Sequence, residues 1–218
     1  MALLLTENDV AELLTMDIAL EAVEEGFRQQ AAAQASNSPR LRLPLSKGAF
    51  NFMAAAAPGL GVMGMKTYGV FGPGEAKFYV QIYSTDTGEL IAVVEANTMG
   101  QIRTGAASGL ATRLMAREDA SDVGIIGSGF QARTQLEAVC RVRDVKNVRV
   151  HSRTPERRNG FARWANEALG VSVVAVESGE ECITGSDVAI AITSAASPVI
   201  KGAWLKDGAH VNAAGSNH

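Results

Sequence analysis

The chain has 218 residues, 47% of them hydrophobic and 20% charged, with a net charge of −3. That length holds one large domain or two small ones around a core that needs no disulfides, and the mild acidity gives no footing for nucleic acid or an anionic membrane. The two cysteines, Cys140 and Cys182, form no C-x-x-C pair and read as reduced thiols of a cytoplasmic protein; "MALLLTENDVAELL" lacks the basic lead-in of a signal peptide, and no run reaches the length of a membrane span.

Thr6 is placed to cap a short helix over about 7–14, and Thr15 a longer one in which Leu20, Val23, Phe27 and Gln30 follow helical spacing. Pro39 ends the helical pattern. The segments "LRLPL", "FNFMAAAA", "GVMGMKTYGV", "FYVQIYS" and "LIAVVEA" then read as strands of an antiparallel meander, with "TDTG" at 85–88 as a hairpin turn. From Thr98 the period returns to that of a helix, with Met99, Ile102, Ala106, Leu110 and Leu114 on one face, ending near Arg117.

From Asp122 the pattern alternates: strand "VGIIG", helix, strand "NVRVHSR", helix "PERRNGFARWANEAL", strand "VSVVAV", a short helix near 179–185, strand "DVAIAIT" and strand "AHVNAAG". Apolar strands alternating with helices predict a doubly wound parallel sheet covered on both faces. The expected division is therefore 1–120, a mixed α+β substrate-binding and dimerisation domain, and 121–218, a dinucleotide-binding domain. The sequence stops at "AAGSNH", directly after a buried strand where such a sheet ordinarily continues, and this reads as a C-terminal truncation.

Gly127-Ser-Gly129-Phe130-Gln131-Ala132 is a G-x-G-x-x-A pattern between the first parallel strand and its helix. In that context Gly127 permits the tight turn, Gly129 lets a pyrophosphate approach the backbone, and Ala132 keeps helix and sheet close, while Phe130 and Gln131 open the helix whose amides face the phosphates. The second strand ends in His151-Ser152-Arg153-Thr154, with Arg157 and Arg158 next and no acid before Glu156. An acid there would hold the ribose of NAD; hydroxyls and guanidinium groups suit the 2′-phosphate of NADP, with NAD as the alternative. Thr193 and Ser194 end the fourth strand, at the edge where such sheets bind ligands; these small polar residues suit the nicotinamide side or, equally, a simple turn of the chain. The first half offers Arg40, Arg42 and Lys66, and the long helix Arg103 and Thr104. Lys66 lies in an otherwise apolar strand, which is costly unless the lysine is paired, functional or snorkels from a sheet edge. His151, His210 and His218 show no metal-ligand spacing, and Ser128 and Ser194 have no base partner, so neither a metal nor a nucleophile triad is expected.

The chain resembles the ornithine cyclodeaminase/mu-crystallin family throughout, most specifically in "MGQIRTGAASGLATRLMAR", "VGIIGSGFQARTQLEA", "VRVHSRTPER" and "GAHVNAAGSNH". The resemblance implies a Rossmann domain preceded by a domain that supplies the substrate groups and the sheet of a homodimer. It implies that Arg40, Lys66 and Arg103 surround a substrate carboxylate, that Thr104 touches the cofactor phosphates, and that Asn212, Ala213 and Gly215 line the nicotinamide end. Asn217 stands where the cyclodeaminases carry an aspartate, so it orients the substrate without serving as a base. The activity this implies is NADPH-dependent reduction of a small α-imino acid such as pyrroline-2-carboxylate. The alternatives are ornithine cyclodeamination, an alanine or opine-type dehydrogenase, and a non-catalytic, crystallin-like cofactor binder.

Overall fold

The computed structural model of the chain describes residues 1–71 and 76–215. They pack into two units, Met1–Ile102 and Arg103–His218.

The first unit contains β1 (Leu3–Leu5), α1 (Glu7–Leu13), α2 (Met16–Ala31), β2 (Ser36–Asn37), β3 (Leu41–Leu45), β4 (Gly48–Ala57), β5 (Val62–Val70), β6 (Phe78–Ser84) and β7 (Leu90–Glu95), and the division falls within α3 (Asn97–Met115). Thr6 caps α1 in a reciprocal box with Asp9, and Thr15 caps α2. The expected meander forms in the order β7-β6-β5-β4, with β3 and β2 both pairing β4. Strand β1, which sequence patterning did not reveal, adds in parallel to β7. Glu7 follows it directly, and its carboxylate accepts from the amides of Asn97 at 2.7 Å and Thr98 at 2.9 Å, capping α3.

Alternation gives the sheet two unlike faces. On one, Val80, Ile82, Ala92 and Val94 pack with Val10 of α1. The other carries Leu41, Leu43, Phe50, Met63 and Tyr79, all exposed. Two helix faces differ from the spacing-based expectation. In α2 the buried residues are Met16, Ala19 and Leu20, and Phe27 is 55% exposed; in α3 Ala106 and Leu110 are buried, but Leu114 is 69% exposed. In α2 the apolar spacing runs past the last covered turn; in α3 the last turn is covered on a different face, where Thr112 and Ala116 are buried.

The second unit is a five-stranded parallel sheet of β8 (Asp122–Ile126), β9 (Asn147–His151), β10 (Ser172–Ala175), β11 (Val188–Ala191) and β12 (His210–Ala213), in the order β10-β9-β8-β11-β12. Its other helices are α4 (Phe130–Val142), α5 (Pro155–Leu169) and α6 (Gly179–Ile183). The central strands β8 and β11 are buried on both faces, whereas Val174 of β10 and Val211 of β12 are exposed. On one face Val123, Ile125, Val148, Val150, Val188 and Ile190 form a core with Leu136, Val139, Phe161 and Ala165, and on the other Ile126 and Ala189 pack with Cys182 and Ile183. The part of α3 from Arg103 onward belongs to this unit. A Cβ on Gly105 would lie 2.3 Å from the Thr134 carbonyl oxygen, so only glycine admits α4 there. The Arg143 guanidinium donates to the carbonyls of Thr112, Arg113, Ala116 and Arg117, satisfying the C-terminal end of α3.

Candidate functional site

The carboxyl ends of β8, β9 and β11 open into a cavity of about 790 Å³. Its lining includes Thr104, Gly127, Gly129, Phe130, Gln131, Ser152, Arg153, Thr154, Arg157, Thr193 and Ser194, so the structure brings most of the sequence-predicted cofactor residues to one surface. Gly127 has φ of 116°, and a Cβ there would meet the Ile192 carbonyl oxygen at 2.2 Å; both the conformation and the crossing with the end of β11 require glycine. Gly129 precedes α4 with ordinary φ of −83° and nothing within 4 Å of a Cβ. One glycine thus makes the turn and the other leaves room beside the first amides of a helix, the donor set that a pyrophosphate takes.

Four predicted residues do not line this cavity. Ala132 is fully buried beneath the turn. Ala214 reaches the cavity rather than its neighbour Ala213. Gly215 allows the chain to cross the end of β11, since a Cβ would sit 2.5 Å from the Thr193 carbonyl oxygen. Asn212 is buried and donates to the Thr112 hydroxyl at 2.9 Å, and its Oδ1 is 3.1 Å from His210 Nε2, so its side chain secures β12 to α3.

The basic turn is more differentiated than its sequence. Arg153 and Arg157 line the cavity, whereas Arg158 is 5% exposed, beneath it. Ser128 of the glycine turn donates to the Ser152 hydroxyl at 2.8 Å, linking the two loops. His151 lines the cavity, with Nδ1 3.2 Å from the Val176 carbonyl oxygen. Trp204, in a single 3₁₀ turn (Gly202–Trp204), and Gly179 complete this wall; neither stands in a pattern that sequence reading singles out.

In the first unit Lys66 lies on β5, which pairs with strands on both sides, so it is not an edge-strand lysine. Its ammonium is 4.8 Å from the Phe78 ring centre and 5.3 Å from that of Tyr68, in a cation–π arrangement. Buried Asn51 pairs with Tyr68 in register, and Arg42 with Asn51, which puts Arg42 on the same sheet face; Arg40 precedes β3. Arg103 and Thr104 belong to the second unit. Asn217 lies outside the described residues.

Burial pushes the Cys182 thiol up to about 12 and the Cys140 thiol, beside Glu137, up to about 11, so neither is a thiolate near neutral pH. Among the described residues no group of three or more His, Cys, Asp or Glu side chains could hold a metal, and no helix is long and apolar enough to cross a membrane.

Solved structures share this architecture. The Thermococcus litoralis Δ1-pyrroline-2-carboxylate reductase in complex with NADH and L-proline is 32% identical with a TM-score of 0.89, over 96% of this chain and 67% of that one. An archaeal alanine dehydrogenase dimer with bound NAD is 33% identical with a TM-score of 0.89, over 96% and 66%. The iminosuccinate reductase of Paracoccus denitrificans in complex with NAD+ is 29% identical with a TM-score of 0.92, over 98% and 68%. The chain thus spans about two thirds of the length of these relatives. The model of the ornithine cyclodeaminase/mu-crystallin family matches residues 1–218, and the chain belongs to that family.

Proposed function

We propose that this protein is an NADPH-dependent reductase of a small α-imino acid, with hydride added to the carbon next to the carboxylate. The observation that carries the reading is the cavity at the strand ends, where the Gly127–Gly129 turn meets Ser152, Arg153 and Arg157 with no carboxylate in the ribose position. The relatives named above hold NADH, NAD or NAD+, so the preference for NADPH rests on this chain's own basic turn. A charge-assisted phosphate contact contributes about 1.5–3 kcal/mol, equivalent to roughly ten- to a hundredfold in affinity.

When bound, the nicotinamide supplies the hydride, so little nucleophilic machinery is asked of the protein. Thr104 and the first amides of α4 hold the phosphates. Arg40, Lys66 and Arg103 bind the substrate carboxylate, fixing the imine carbon for attack. Lys66 polarises the substrate or carries a proton to it, and Asn217 orients it. The exposed apolar sheet face of the first unit supports assembly as a homodimer.

Following NADPH oxidation and ammonia release together tests this. Pyrroline-2-carboxylate is expected to oxidise NADPH with no ammonia, and ornithine with catalytic NAD is expected to give no proline; robust proline and ammonia from ornithine would make the protein a cyclodeaminase. Lys66→Ala and Arg103→Ala are each expected to lower turnover at least a hundredfold while NADPH affinity stays within about threefold. Lost cofactor affinity in both would assign them to the nucleotide site instead.

A further inference from the structure

Arg158 is a buried cation that the reading above does not use. It sits in the first turn of α5, and its guanidinium divides between two loops. Nη1 donates to the Ser152 carbonyl at 3.0 Å, and Nη2 pairs with Glu177 Oε2 at 2.5 Å. The Arg158 side chain is 6% exposed and that of Glu177 is 85% exposed. Glu177 follows β10, and next to it the Val176 amide donates to the Val150 carbonyl while the Val176 carbonyl faces His151. Arg158 therefore ties the turn after β9 to the loop after β10, and the carbonyl it holds belongs to the residue whose hydroxyl meets Ser128.

Two consequences follow from this placement. A planar guanidinium with one fork on a carbonyl fixes that peptide's orientation, which a flexible ammonium does poorly. The electrostatics are also asymmetric. The cation is held in the protein beneath the cavity, where its field is weakly screened, and its counter-charge stands in solvent, where water and salt attenuate it. The surplus positive potential favours a dianion in the turn above over a neutral hydroxyl.

We propose that Arg158 is a specificity-determining positioning residue: through the Ser152 carbonyl and its own buried charge it sets the preference for a cofactor bearing a 2′-phosphate, and Glu177 tempers that preference. The inference rests on the NADPH reading given above. The two partners then have opposite effects, which a purely structural pair would not have.

The test is the ratio of NADH to NADPH dissociation constants, measured by nicotinamide fluorescence on wild type, Arg153→Ala, Arg158→Gln, Arg158→Lys and Glu177→Gln. In Arg158→Gln the ratio is expected to fall about three- to tenfold, mainly through NADPH, and Arg158→Lys, which keeps the charge but not the fork, lies between. In Glu177→Gln the ratio is expected to rise about twofold. Should Arg158→Gln fail to fold, Glu177→Gln carries the test, since its carboxylate is exposed: a raised ratio supports the inference, and an unchanged or lowered one overturns it. An unchanged ratio in Arg158→Gln beside a collapsed ratio in Arg153→Ala overturns the inference and leaves the NADPH reading standing. A wild-type ratio near one that Arg153→Ala does not move overturns both.

Discussion

The two ends of the parallel sheet handle charge in opposite ways. At the amino end, Asp187 opens β11 almost fully buried, and its carboxylate takes Arg117, Lys206 and the backbone amides of Ser121 and Asp122. Every bond there is internal, and the cluster ties the starts of β8 and β11 to the end of α3. At the carboxyl end, Arg153 and Arg157 face a cavity, and glycines replace side chains. The same sheet thus spends its acid on stability at one end and, in the proposed function, keeps Arg153 and Arg157 for a ligand at the other. Charge at the first end should govern folding and leave recognition alone; charge at the second should do the reverse.

The glycine turn gives the largest expected effect. Gly127→Ala must force its neighbour back from 2.2 Å and hold an alanine at φ of 116°, a cost of about 3 kcal/mol or more, with cofactor binding lost. Gly129→Ala meets nothing within 4 Å, so thermal stability should stay within about 0.5 kcal/mol of wild type while NADPH affinity falls at least about tenfold because the methyl takes the pyrophosphate's space. Differential scanning calorimetry beside cofactor titration separates the two. If Gly129→Ala binds NADPH as wild type does, the pyrophosphate does not pass there.

Asp187→Asn is the counterpart at the closed end. It should cost about 2–3 kcal/mol, at the low end for a broken buried ion pair because Arg117 and Lys206 are partly exposed and regain water. The NADPH-to-NADH preference should not move. The acid limb of stability carries the same signature. Burial alone would raise the Asp187 carboxyl, but the Lys206 hydrogen bond, the Ser121 and Asp122 amides and the Lys206 charge bring it down from 3.8 to about 2. A depressed carboxyl stabilises the fold fully above its unfolded value, so about 2 kcal/mol should be lost as pH falls from 3.8 through about 2. Urea unfolding across that range should show this loss in wild type and not in Asp187→Asn.

Much of this was legible in the sequence because local chemistry sets it. Pro155 and the αL residue Gly170 bound α5 as their types demand, and "FYVQIYS" and "LRLPL" are the strands β6 and β3. What stayed hidden depends on distant partners. Leu3–Leu5 has no alternation of its own and becomes a strand only beside β7. Asn212 reads as a site residue until its partner Thr112, far back in the chain on α3, is known. Arg157 and Arg158 look alike side by side, yet one faces the cavity and the other lies under it. That distinction was within reach: Arg158, Phe161, Ala162 and Ala165 are the buried residues of α5, and their spacing is that of one helix face. A cation on an apolar stripe was the signal, and the neighbouring arginines masked it.

In the proposed function, Arg153 at the open end of the sheet reads a 2′-phosphate. Titrating wild type and Arg153→Ala with NADPH and NADH at one salt concentration tests it most directly. Wild type is expected to bind NADPH roughly ten- to a hundredfold more tightly than NADH, and Arg153→Ala to lose most of this difference through NADPH alone. Equal affinities in wild type, or a preference that survives the loss of Arg153, would contradict it.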